Sequence, residues 1–98
     1  EYGAKLVEKE PLESTYLDTY AYILMKQAKY DLAIFYIRQA LTYDSKEAPN
    51  FEIIEHYGDI LYFLGNIDQA IEEWSKAKKI NPNSSILNEK IKQKKYVE

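Results

Sequence analysis

Residues 51–82 read FEIIEHYGDILYFLGNIDQAIEEWSKAKKINP, and this stretch decides the fold. Asn50 stands just before it as a helix N-cap. Ile54, Tyr57 and Leu61, with Gly58 among them, recur at the spacing of one helical face. Gly65-Asn66 is a helix stop and turn. A second periodic segment carries Ala70, Trp74 and Ala77 on one face, and Asn81-Pro82 closes it. The stretch predicts helices over about 51–64 and 67–79, and a connection this short makes them antiparallel neighbours.

The same pattern lies upstream. Sliding the sequence by 37 residues puts Leu17 on Ile54, Tyr20 on Tyr57, Ala21 on Gly58, Leu24 on Leu61 and Ala28 on Gly65. It also puts Asp31 on Asp68, Ala33 on Ala70, Ile37 on Trp74, Ala40 on Ala77 and Tyr43 on Ile80. Large residues fall on large and small on small, which is the mark of an internal repeat. The first copy therefore predicts helices over 15–28 and 31–43. Leu17, Tyr20, Ala21 and Leu24 form the apolar face of one, and Ala33, Ile37, Ala40 and Tyr43 that of the other. Thr15 with Asp18 reads as a short-armed capping box, and Asp31 suits the positive end of the second helix.

The flanks extend the pattern. Residues 1–11 resemble the end of a preceding second helix, Leu6 and Val7 falling on Ala40 and Leu41, and they predict a weak homodimer through an uncovered half-repeat. The chain opens at Glu1 without Met, as an excised piece would. From Ser85 to about Tyr96 a single helix is expected, with Leu87 and Ile91 as a narrow apolar stripe, which suits the end of a stack. Lys92 stands where Ala21 and Gly58 stood and would block a following helix.

These residues resemble the tetratricopeptide repeat family. The second copy carries its pattern at Ile54, Tyr57-Gly58, Leu61, Gly65, Ala70, Trp74, Ala77 and Pro82. The first departs from it at Ala21, Ala28 and Ser45, where the family has Gly, Gly and Pro, and its link over 45–50 is longer than the family period of about 34 residues allows. The resemblance implies an all-α chain of antiparallel helix pairs stacked as a superhelix with a C-terminal capping helix. One domain would span 1–98, with repeats at 14–47 and 51–84 and the capping helix at 85–98. It also implies a module that binds a protein or peptide and does not catalyse. The pattern has a physical reason independent of the family: Ala21, Gly58, Ala33, Ala70, Ala40 and Ala77 let helices approach closely, and Ile37 and Trp74 fill the space they leave.

Composition narrows the function classes. Apolar residues make up 46% of the chain, enough to bury a core and too many for a disordered segment. A net charge of −3 gives no basic stripe for nucleic acid. With no cysteine, disulfides, thiolate metal sites and thiol nucleophiles are excluded. No apolar run reaches membrane-spanning length, so no membrane insertion is expected. Bacterial chains of this family with a tyrosine- and lysine-rich look are often parts of larger, sometimes exported proteins, but the compartment is not written in these residues.

Site readings follow from the helical faces. His56 lies off the apolar stripe with no nucleophile at a catalytic spacing, which reads as a solvated surface side chain. Trp74 reads as core. By the resemblance, Asp18, Tyr22, Met25, Glu52, Glu55, Asp59, Tyr62 and Phe63 line the groove made by the first helices. Acids there suit a basic or aromatic ligand, and they rule out the carboxylate grip that one subclass of the family makes with Lys and Asn. The acids do not converge from a loop as a calcium site needs, so neither metal nor cofactor is expected. Lys90, Lys92, Lys94 and Lys95 read as the wet side of the last helix. The competing function is a structural spacer or self-association segment with an empty groove.

Overall fold

The computed structural model describes residues 14–44 and 49–97. Among these it has five helices and no strand: α1 (Ser14–Lys26), α2 (Tyr30–Tyr43), α3 (Phe51–Phe63), α4 (Ile67–Ile80) and α5 (Ser85–Gln93). α1 packs on α2 and α3 on α4, forming the two expected helix pairs. Contacts of α2 with α3, α1 with α3, and α4 with α5 stack the pairs and add the last helix. The half-repeat expected over 1–11 and most of the link between repeats, residues 45–48, lie outside the described residues.

Both pairs turn in the same way. Gly65 has φ +92°, its N–H donates to the Tyr62 carbonyl at 3.0 Å, and the Asn66 N–H donates to Leu61 at 2.9 Å. Ala28 does the same at φ +63°, with the Ala28 N–H donating to Met25 and the Lys29 N–H to Leu24, both at 2.9 Å. This pair of hydrogen bonds satisfies orphan carbonyls at a helix end through a left-handed residue. Such a backbone is free for Gly65 but costs an Ala about 1–2 kcal/mol.

The caps are partly as expected. Asn50 Oδ1 accepts from the Glu52 N–H at 2.9 Å and starts α3. Asp44 Oδ2 accepts from the Asn50 N–H at 2.9 Å, tying the end of one pair to the start of the next. Thr15 is no cap: α1 already contains it, and its carbonyl accepts from Thr19 Oγ1 at 3.0 Å. Asp18 is turned inward to a tertiary partner instead. α5 stops at Gln93, short of the expected end near Tyr96, because Lys94 adopts a left-handed backbone at φ +57°.

The core follows the large-and-small pattern. Ala21, Ala33, Ile37 and Ala40 are fully buried in the first pair, and Ala70, Trp74 and Ala77 in the second, with Leu87 of α5 against them. At Gly58 a Cβ would lie 2.6 Å from both Trp74 Cδ1 and Nε1, so the indole rests directly on the α3 backbone. The apolar face of α1 is rotated from the expected one. Asp18 and Met25 are buried with Leu17, Ala21 and Leu24, whereas Tyr20 is exposed. Tyr43 is likewise exposed. α1 meets α3 as well as α2, so its buried stripe is set by two neighbours.

Candidate functional site

The first helices of the repeats, α1 and α3, pack on each other, α5 docks on α4 and reaches α3 through its side chains, and charged groups cross between these helices. His56 Nδ1 of α3 lies 2.7 Å from Asp18 Oδ1 of α1. Lys90 of α5 donates through Nζ to Glu55 Oε2 at 2.6 Å and to Asp59 Oδ1 at 2.8 Å, both on α3. Asp59 Oδ1 also accepts from Trp74 Nε1 at 3.0 Å. Lys90 is 2% exposed and Asp59 1%. An ion pair this dry persists only when its hydrogen bonds are made, and removing one partner leaves a buried charge alone.

Two readings from the sequence are corrected by this geometry. His56 is not a solvated surface residue; its ring is largely covered, bonded to Asp18 and tilted over Tyr22 with ring centres 4.7 Å apart. Lys90 does not belong to the wet side of the last helix, although Lys92, Lys94 and Lys95 are exposed as expected. Burial alone would lower the pKa of His56, but the hydrogen bond and charge of Asp18, with the charges of Asp59 and Glu55, outweigh it and raise it above the ordinary value. Burial pushes the Asp59 carboxyl up, and the Lys90 ammonium offsets part of that rise.

Around these pairs runs a chain of aromatic rings. Phe63 at the end of α3 stacks on Tyr30 with centres 5.2 Å apart and planes 2° apart. Tyr62 and Tyr96 are its other ring neighbours, with centres 5.3 and 5.1 Å away. Lys90 Nζ stands 5.2 Å from the Tyr96 ring centre and 5.9 Å from that of Trp74, within reach of cation–π attraction.

A cavity of about 140 Å³ opens on this face. Tyr22 of α1 and Glu55, His56 and Asp59 of α3 form one side, and Ile86 and Lys90 of α5 with Tyr96 and Val97 beyond it form the other. It is well below the roughly 300–1,000 Å³ of small-molecule and cofactor sites, and its size suits a side chain or two. Among the described residues there is no group of three or more His, Asp or Glu placed to hold a metal ion. No helix among them is long and apolar enough to cross a membrane.

Of the groove residues expected from the sequence, Tyr22, Glu55 and Asp59 line this cavity. Asp18 sits behind it on His56. Met25 is buried in the core, Glu52 is exposed at the start of α3, and Tyr62 packs toward Trp74 with ring centres 6.2 Å apart. Phe63 is 37% exposed and belongs to the aromatic chain rather than the cavity wall. The sequence reading missed His56, Ile86, Lys90, Tyr96 and Val97. One signal was available: Lys90 stands one family period after His56, so both cations occupy the same place on successive first helices, each facing acids on the helix before.

A family model described as tetratricopeptide repeat matches residues 15–47 and 51–84. No curated protein and no solved structure gives a significant match.

Proposed function

Since the chain belongs to the tetratricopeptide repeat family, whose repeats generally serve as protein–protein interaction modules, we propose that it binds a peptide segment of a partner protein across the face built by α1, α3 and α5. The observation that carries this reading is the side-chain-sized cavity between Tyr22, Ile86 and the Lys90 cluster on that face. Peptide-binding faces take single anchor side chains into small pockets, with neighbouring polar groups fixing their orientation.

The partner chemistry is read differently for its two halves. Asp18, Glu55 and Asp59 were expected to attract a basic ligand, but each already faces His56 or Lys90. The aromatic half has firmer support, because Tyr22 and Phe63 present rings along the face. A peptide array containing basic, acidic and aromatic sequences tests this. Aromatic peptides should bind, Ile86→Glu should weaken them at least tenfold, and added salt should change affinity little. Binding confined to basic peptides and lost steeply with salt would restore the acidic-groove reading.

A second reading has its own observation. Tyr16, Tyr20 and Ile23 form an exposed apolar stripe on α1, continued on α2 by Leu32 and Phe35. Tyr20 and Phe35 both pack edge-on against Tyr36, with ring centres 4.8 and 5.1 Å apart. Apolar surface of this kind often marks an interface, and here it favours a spacer or self-association role. Sedimentation across a concentration series tests it, with Phe35→Glu expected to abolish any dimer.

A further inference from the structure

The segment beyond α5 turns back onto the groove. Lys94 reverses the backbone at φ +57°, and the Lys95 N–H donates to the Lys90 carbonyl at 3.2 Å. Tyr96 then packs against the first-pair core cluster and lies against Phe63, with Lys90 across its ring. Val97 is half-buried and lines the same cavity as Tyr22 and His56.

Local sequence does not demand this path. Lys94 and Lys95 are good helix formers, and neither Gly nor Pro interrupts the run. A left-handed backbone is sterically disfavoured for Lys94, so the reversal is offset by contacts made after it. Those contacts are an aromatic ring seated on Phe63 under an ammonium, and an aliphatic side chain at the cavity wall. The groove beside the open cavity thus already holds one aromatic–aliphatic pair, which also forms part of the cavity wall.

We infer that the groove recognises an extended segment presenting an aromatic side chain followed by an aliphatic one, and that the chain's own Tyr96 and Val97 occupy that place until a partner displaces them. The inference rests on the reading of this face as the binding surface. It adds the kind of ligand and a built-in competitor. Tyr96 supplies in cis what a partner supplies in trans, so the apparent affinity for a partner is lowered by the fraction of molecules whose seat is filled.

The test uses the full chain, wild type and Tyr96→Ser, and a synthetic peptide of sequence Lys-Lys-Tyr-Val-Glu as probe. Circular dichroism confirms that the variant keeps its helices; Val97→Asp replaces it if it does not. In two-dimensional NMR the probe should shift the signals of Tyr22, His56 and Ile86. It should bind the variant at least tenfold more tightly than the wild type, and a probe with Ala for Tyr should shift nothing. Equal affinity for wild type and variant would overturn the inference. If array-selected peptides still map to Tyr22 and Ile86 in that case, the groove reading stands without the cis occupant. If no peptide perturbs those residues in either protein, both readings fall.

Discussion

The junction of α1 with α3 and the junction of α3 with α5 use the same place on the repeat and different chemistry. At the first, an imidazole meets a single carboxylate, Asp18, and the His56 side chain keeps 24% of its exposure. At the second, an ammonium meets two carboxylates, Glu55 and Asp59, with a tryptophan N–H on one of them, and the Lys90 side chain keeps 3%. The first link keeps some access to water, and its imidazole titrates above the ordinary histidine value. The second is dry and fully bonded, which makes it costly to break from one side. The proton-linked contact therefore lies between the two repeats, and the dry one where the last helix reaches α3.

The sharpest way to break this contrast is Lys90→Met. It strands Glu55 and Asp59 in a dry site and should cost about 3–5 kcal/mol in chemical denaturation. Adding Glu55→Gln and Asp59→Asn should recover much of the loss, because the amide introduced on α3 keeps an acceptor for the Trp74 N–H. If Lys90→Met costs no more than His56→Gln, the two junctions are energetically alike.

Gly58→Ala comes next. Its new methyl would meet the Trp74 ring at 2.6 Å, and the strain should cost about 1–3 kcal/mol. Lys92→Leu, on the exposed side of α5, should stay within about 0.5 kcal/mol by the same melts. Equal effects would mean that Trp74 can swing away and that the second pair is packed more loosely than the first.

The pH dependence of the first junction is smaller. His56 has a raised pKa in the folded state, so its contribution is fully present below the unfolded histidine pKa and is lost as pH rises through the folded value. The stability difference between wild type and His56→Gln should be about 1 kcal/mol in mild acid and should shrink above neutrality. Asp59, whose raised pKa acts in the same direction at lower pH, is common to both proteins. Its carboxyl loses the His56 charge in the variant, so the comparison is read above the carboxylate range. A difference that is flat from mild acid to mild alkali would show that the Asp18 contact carries no proton-linked energy.

The two turns supply the smallest contrast. Ala28→Gly relieves a left-handed alanine and should add about 1 kcal/mol, while Gly65→Ala should remove a similar amount. Thermal melts of both variants check this. No gain at Ala28 would mean that the lost unfolded-state entropy of Gly cancels the relief.

Whatever depends on neighbours along the chain was legible in the residues alone. Helix periodicity, the Asn50 cap, the stop at Gly65-Asn66 and the exchange of Ala21 and Ile37 for Gly58 and Trp74 are all written at fixed spacings. Backbone hydrogen bonding and close packing act at those same spacings, so the fold could be read from them. Which charged side chains are dry was settled only by packing between helices. Asp18, Glu55 and Asp59 look in sequence like any solvated helical face, and Lys90 like its three wet neighbours. The placement of α5 within side-chain reach of α3, and of α3 beside α1, brings cation to acid across helices and fixes their burial. The path of Tyr96 and Val97 was hidden for the same reason: local propensity favours a longer helix, and the contacts that outweigh it lie on residues far away in the chain.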